Sequence, residues 1–467
     1  MRRHVLALSL ILFSAAAFAE DAVVPESART VAEEGETGES TAAKTPVKEI
    51  RLTSAEALAI GVKMIEDGDL ENARLLLSNI SFKDDERLET ERRFLLGQIE
   101  MKRENYGGAI DIFRGILNDS PSLPRVRLDL ALAYMQTGSF YKADYHFRLA
   151  MSEQLPEEVQ LNVYRMLYYI RQNKNWNLWL NVGVAPDSNI NNANSGEQCI
   201  LTIWGRLCNK LPEEERDVGF TAAFGGNYEF KLSDAWRIKN DFAVMTSKYR
   251  NEEYDDMLLS ASTGPRYVFE RGDVWLALAG SRRWLGHTDY SYSAGAKLDA
   301  NYDLTQKLSS QMSLRYMPAK YDEYDDLDGE VYGAGVTFSY TLSSSKYLVF
   351  RTGYDKERNK VEAYRNSRRT YAVGFGSELP LGFSIYLEPS LMLTGYDEER
   401  LYVVEPWLES IRRKDRTYRY SEQLLNRKIS WYGFTPTLGY SYTDRRSNVW
   451  QSEFTKSAFE FGMTQRF

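Results

Sequence analysis

The chain has 467 residues, and 58 Lys and Arg against 66 Asp and Glu leave a formal charge of −8, which argues against nucleic acid as a partner. Its mean hydropathy of −0.47, with no long apolar run beyond residue 19, excludes a helical membrane protein, which needs about 20 consecutive apolar residues per span. A membrane β-barrel stays open, because its strands hide their apolarity by alternation, and 31 Tyr, 21 Phe and 9 Trp are the aromatic load that barrels place in interfacial girdles.

In chain order, Arg2 and Arg3 precede an apolar run from Val5 to Phe18, and Ala17-Phe18-Ala19 offers a cleavage site before Glu20, so residues 1–19 read as a secretory signal peptide. No Cys follows that site, so no lipid anchor by the lipoprotein route is expected. Residues 20–50 hold Glu, Thr, Ala, Pro and Gly without an aromatic side chain, and read as a disordered leader.

From 51 to 172 apolar residues recur at helical spacing and the pattern itself repeats. Gly97, Met101, Ala109, Phe113 and Pro121 return 34 residues later as Ala131, Tyr134 or Met135, Ala143, Phe147 and Leu155 with Pro156 after it. A weaker copy carries Gly61, Ala73 and Leu77, which gives three helical hairpins. A period of 34 with small residues at these places resembles the tetratricopeptide repeat. Such stacks offer a concave surface for an extended peptide or partner protein, and Phe94, Gln98, Leu128 and Leu132 are the candidate client groove.

Beyond 173 the period becomes two. Tyr332, Ala334, Val336, Phe338, Tyr340 and Leu342 alternate with Val331, Gly333, Gly335, Thr337, Ser339 and Thr341. The polar face between Tyr292 and Leu304 carries Lys297, Asp299, Asn301 and Asp303, which a wet lumen accepts and a lipid face rejects. Strands begin near 176, 219, 236, 257, 274, 291, 309, 330, 347, 369, 383, 416, 433 and 455. That makes fourteen, joined alternately by short turns, expected in the periplasm, and longer loops, expected outside. The strand near 416 alternates poorly. Residues 173–467 therefore read as an antiparallel outer-membrane barrel of about 14 strands behind a periplasmic α-helical domain. The closing strand sets Phe459, Phe461, Met463 and the terminal Phe467 on one face, similar to the C-terminal signal read by the barrel assembly machinery. That machinery and outer-membrane lipid are the implied partners.

Cys199 and Cys208, close in sequence in an exported chain, are expected to form a local disulfide. Histidine occurs only as His4, His146 and His287. The last has Asp289 and Ser291 near it, but no regular strand positions bring the three together. No catalytic site, no metal site and no cofactor is expected.

After the first strand, Ala185 to Ser195 reads APDSNINNANS, rich in residues that favour tight turns and left-handed backbone. A fixed gate loop of Pro186, Asp187, Ser188, Asn189, Asn191 and Asn192 is expected, with Pro186 ending the strand. The Pro186-to-Asn191 motif, following a signal peptide and helical repeats and opening a barrel that closes at Phe467, resembles the surface lipoprotein assembly modulator (Slam) family. That resemblance implies delivery of surface lipoproteins, or of soluble haem- or metal-acquisition proteins, across the outer membrane. The alternative is a polysaccharide-export or passive porin-type barrel with a scaffolding repeat domain. The mixed lumen of Lys231, Lys239, Asp241, Lys297, Asp299, Asp303, Arg315 and Arg351 lacks the single sign of charge a sugar exporter would show.

Overall fold

The first helix opens on a capping box: Thr53 Oγ1 accepts the Glu56 N–H at 3.3 Å, and the Glu56 carboxylate takes the Thr53 N–H at 2.8 Å. The structure, a computed structural model, describes residues 53–467 apart from 83, 174, 195, 405, 406, 430, 432, 433 and 467. The expected signal peptide and leader, and Phe467, lie outside the described residues.

Among these, α1 (Ser54–Glu66), α2 (Leu70–Asn79), α3 (Glu86–Lys102), α4 (Tyr106–Asp119), α5 (Pro124–Gln136), α6 (Phe140–Ala150) and α7 (Glu157–Asn173) follow one another. Helices α1 and α2, α3 and α4, and α5 and α6 pack as hairpins. Gly68 (φ 83°) and Gly138 (φ 76°) take the left-handed turns after α1 and α5. The small and aromatic residues of the 34-residue period are core residues: Ala109, Phe113, Ala143 and Phe147 are all fully buried. Gly97 lets α3 approach α4, since a Cβ there would lie 2.3 Å from Phe113 Cε1. Two apolar clusters result, one around Leu58, Leu77 and Ile99, the other running from Phe94 to Ile170.

Strand β1 (Trp176–Asp187) is followed by a small hairpin of β2 (Glu197–Thr202) and β3 (Gly205–Lys210). Then come β4 (Asp217–Lys231), β5 (Trp236–Lys248), β6 (Asp256–Phe269), β7 (Gly272–Leu285), β8 (Thr288–Asp303), β9 (Leu308–Tyr321), β10 (Gly329–Ser343), β11 (Lys346–Asn359), β12 (Asn366–Glu378), β13 (Phe383–Val404), β14 (Trp407–Asn426), β15 (Thr435–Ser447) and β16 (Phe454–Arg466). Strands β1 and β4–β16 close into a barrel of fourteen antiparallel strands, each paired with its sequence neighbour, with β1 sealing against β16. Closure removes the sheet edge, as a spanning sheet requires.

One face of the barrel is apolar and exposed, as Tyr332, Tyr340, Leu342, Phe350, Tyr371 and Val373 show. At the end with short turns Tyr228, Phe230, Trp236, Tyr267, Phe269 and Tyr302 make ring contacts with centroids 4.7–6.2 Å apart. At the other end Tyr316 and Tyr332, 5.1 Å apart, both donate to Glu330. Aromatic girdles at both rims are what two interfaces call for. The weakly alternating strand is β14, one of the two longest; with β13 it runs past its neighbours as a two-stranded extension from Glu399 to Arg412.

Pro186 does not end β1, as expected from its missing N–H. On the β4 side β1 pairs through to Asp187. Only the β16 ladder skips Ala185 and Pro186, and it resumes at Asp187 opposite Ala458.

Candidate functional site

Residues directly opposite in a ladder share a face, and the charges expected in the lumen fall together there. Gly333 lies between Arg315 and Asp355, and Arg315 bridges Asp355 at 2.6 Å. Arg351 holds Glu388, and Arg283 holds Asp256 at 2.7 Å. Arg315, Arg283 and Asp256 line a cavity of about 840 Å³ that also meets Asn181, Thr221, Arg368 and Glu460. Towards the short turns Arg266 ties Glu229 (2.7 Å) to Asp273 (3.0 Å). Trp275 lies there with Lys239 Nζ 4.1 Å and Lys297 Nζ 4.2 Å from its ring. Every cation named here has an anion or a ring beside it, so no single-sign field develops.

The short-turn end carries the helices. Arg127 of α5 and Arg427, in the turn after β14, both bind Glu378 at the end of β12, and Tyr145 Oη donates to it at 2.8 Å. Arg127 Nη1 also donates to His146 Nδ1 (3.2 Å), which requires a neutral imidazole. Burial first, and the guanidinium second, push its pKa down to about 3. Asp303, at the end of β8, takes both Arg148 (2.8 Å) and Arg171. Glu378, Arg127 and Asp303 as rim anchors left no signal in the sequence beyond being charged.

In the candidate groove, Phe94 is a correction: it is buried in the helical core against Phe113, ring centroids 5.8 Å apart, and lines no open surface. Gln98, Leu128 and Leu132 are half-buried beside it on α3 and α5. Asp129, which sequence reasoning passed over, sits among them. Desolvation pushes its carboxyl up to about 6 against the pull of Arg125 and a hydrogen bond with Gln98.

At the opposite end, the Pro-Asp-Ser-Asn loop is tied to β16. Asp187 binds Lys456 at 2.7 Å and accepts the Asn189 N–H at 2.9 Å. Ser188 N–H donates to the Ser457 carbonyl, and the Ser457 N–H donates to Ser188 Oγ, both at 2.9 Å. Asn189, wholly buried, donates to the carbonyls of Thr455 and Ala193 and accepts the Ala193 N–H. Asn191 bonds the backbone of Glu213 and Glu215, and Asn192 adopts φ 49°. The short polar side chains thus hold a defined loop across the junction of first and last strands.

Beyond it stands the β2–β3 hairpin, stapled by the Cys199–Cys208 disulfide, with Ile203 and Trp204 exposed at its tip. His287 does not meet Ser291 in a triad; its Nε2 lies 3.1 Å from Asp255, and Asp289 pairs with Arg282. Phe459 and Phe461 point outward on β16 and are exposed. Met463 shares their face by strand parity.

A closed barrel with aromatic girdles, a charged lumen and helices at its short-turn end defines an integral protein of the Gram-negative outer membrane. The family model for the surface lipoprotein assembly modifier matches residues 176–467; the chain belongs to that family. It is 24% identical to a surface lipoprotein assembly modifier of Pasteurella multocida (strain Pm70), over 79% of this chain and 75% of that one. It is 25% identical to surface lipoprotein assembly modifier 1 of Neisseria meningitidis serogroup B, over 76% and 72%. Against the hemophilin secretion modulator of Acinetobacter baumannii the identity is 20%, over 67% and 64%. Among solved structures, a bacterial polysaccharide outer membrane secretin aligns with 62% of this chain and 98% of its own at a TM-score of 0.32 and 13% identity.

Proposed function

We propose that this protein is an outer-membrane export factor that delivers a surface lipoprotein, or a related soluble haem- or metal-acquisition protein, to the cell exterior. Relatives whose printed names are surface lipoprotein assembly modifier and hemophilin secretion modulator support that client class. The observation that carries the reading is a wet, mixed-charge lumen with a helical unit docked at its periplasmic mouth. In this reading α3 and α5 offer Gln98, Leu128 and Leu132 to the client, and the loop from Pro186 to Asn192 meets it at the exit. The outward face of β16, with Phe459, Phe461 and Met463, is what the barrel assembly machinery would read. The path needs no catalytic group or bound cofactor, and the driving force comes from client folding or capture outside, since a ligand shifts an equilibrium only by its differential affinity.

Deleting the gene and labelling surface polypeptides and glycans tests it. The expected outcome is one or a few proteins lost from the surface while still present in cell extracts, restored by complementation. Loss of a surface polysaccharide with an unchanged protein profile would instead establish the sugar-export alternative.

A further inference from the structure

The lumen is covered over part of its short-turn end. Higher in the lumen the guanidiniums reach water: the Arg315 side chain is 51% exposed and that of Arg283 41%. Near the short turns Arg237 and Glu229 share a lumen-facing position with Lys231 and Lys239, yet their side chains are 0% and 4% exposed. Charges give up hydration only where something covers and bonds them. The cover is α7: the Arg171 carbonyl accepts Arg237 Nη1 at 2.8 Å, and the Arg171 guanidinium takes the Glu270 carbonyl at 2.6 Å and the Asp303 carboxylate. Clamps continue along the rim. Glu153 accepts the Ser344 N–H at 3.0 Å, Ser122 Oγ lies 3.0 Å from Ser345 Oγ, Arg127 binds Glu378, and Asp119 binds Lys428 at 2.6 Å.

We propose that α4–α7 form a releasable plug over the periplasmic mouth, pinned by the dehydrated carboxylates Glu378 and Asp303, and that the channel opens when these helices leave the rim. The bonding is of a kind that can let go. The apolar clusters of the helical unit include no barrel residue, so undocking exposes charges that water hydrates and tears no hydrophobic core. Docking also leaves Arg127 Nε and Arg237 Nε and Nη2 buried without a partner, donors that water would satisfy on release. The proposal rests on the export reading for what passes, and not for whether the mouth is shut.

The test is ion conductance of the full-length protein in planar lipid bilayers. Ser122→Cys with Ser345→Cys, oxidised, should hold the channel shut, and reductant should release it, with wild-type protein in the same reductant as baseline. Glu378→Ala with Asp303→Ala should raise the open fraction by roughly a hundredfold, because stripping partners from buried ion pairs strongly destabilises the docked state. Heat-modifiable migration checks that each variant is a folded barrel. Equal conductance in oxidised and reduced double-cysteine protein, or a wild-type open fraction in the unpinned variant, overturns the plug. Conductance that responds while client display in the same strains does not would leave the plug standing and remove the export reading.

Discussion

Asp187 and Asn189 do at the loop end of the barrel what Glu378 does at the short-turn rim: each bonds an element far away in sequence. Replacing both with Ala removes the Lys456 ion pair and the bonds to Thr455 and Ala193. Lys456, 24% exposed, can turn to water, while the Thr455 carbonyl and the Ala193 N–H each lose a partner, about 1–3 kcal/mol for each group left unpaired, a cost borne by the loop. The ladder of β1 with β4 does not depend on them. Barrel yield and heat-modifiability should therefore match wild type while client reaching the surface falls severalfold, read by surface labelling. Yield and export falling together would make the loop a folding element only, and export at the wild-type rate would end the gate reading. The motif was legible because Asx-rich stretches have a mechanism for holding turns. Its partner strand was not, since nothing local couples residue 189 to residue 455.

At the scale of elements, the helical repeat was readable because packing imposes its period. Gly97 shows the constraint most sharply: Gly97→Val would drive its side chain into the Phe113 ring and should destabilise the helical unit by about 1–3 kcal/mol. Hydrogen exchange of α3 and α4 in the full-length protein should quicken, while barrel heat-modifiability stays the same. Unchanged protection would mean that the hairpin repacks freely. Strand β14 was hard to read for a physical reason. Glu422 sits on the same face as Tyr418 and Tyr420, and Tyr420 Oη donates to it at 3.1 Å, so a carboxylate stands where alternation calls for an apolar residue. The assignment of Phe94 to a groove failed because an aromatic residue at helical spacing serves core and surface alike, and only the stacking of neighbouring hairpins shows which.

At the scale of the molecule, the helical unit meets the barrel through ion pairs and hydrogen bonds at the rim, and each keeps its own interior. Removing residues 52–169 should leave a heat-modifiable barrel in the outer membrane, since the rim carboxylates Glu378 and Asp303, on losing Arg127 and Arg148, gain hydration. Client display should be abolished and ion conductance raised. Normal display by the truncated barrel would reduce the helices to scaffolding, and failure to recover any barrel would show the two parts to fold as one.

By itself the sequence determined the export context, the change of period at residue 173, the fourteen strands, and the alternation that gives one face to lipid and the other to water. All of these are local, because the hydrophobic effect acts on each segment through its own spacing of apolar side chains. Only the tertiary structure decided that the Pro-Asp-Ser-Asn loop ties the first strand to the last, that Phe94 is core, and that the helices bond the short-turn rim. Those features hang on pairs such as Arg127 and Glu378, 251 residues apart. A single charged residue has no period, so its partner becomes visible only when the closed barrel brings the two side by side.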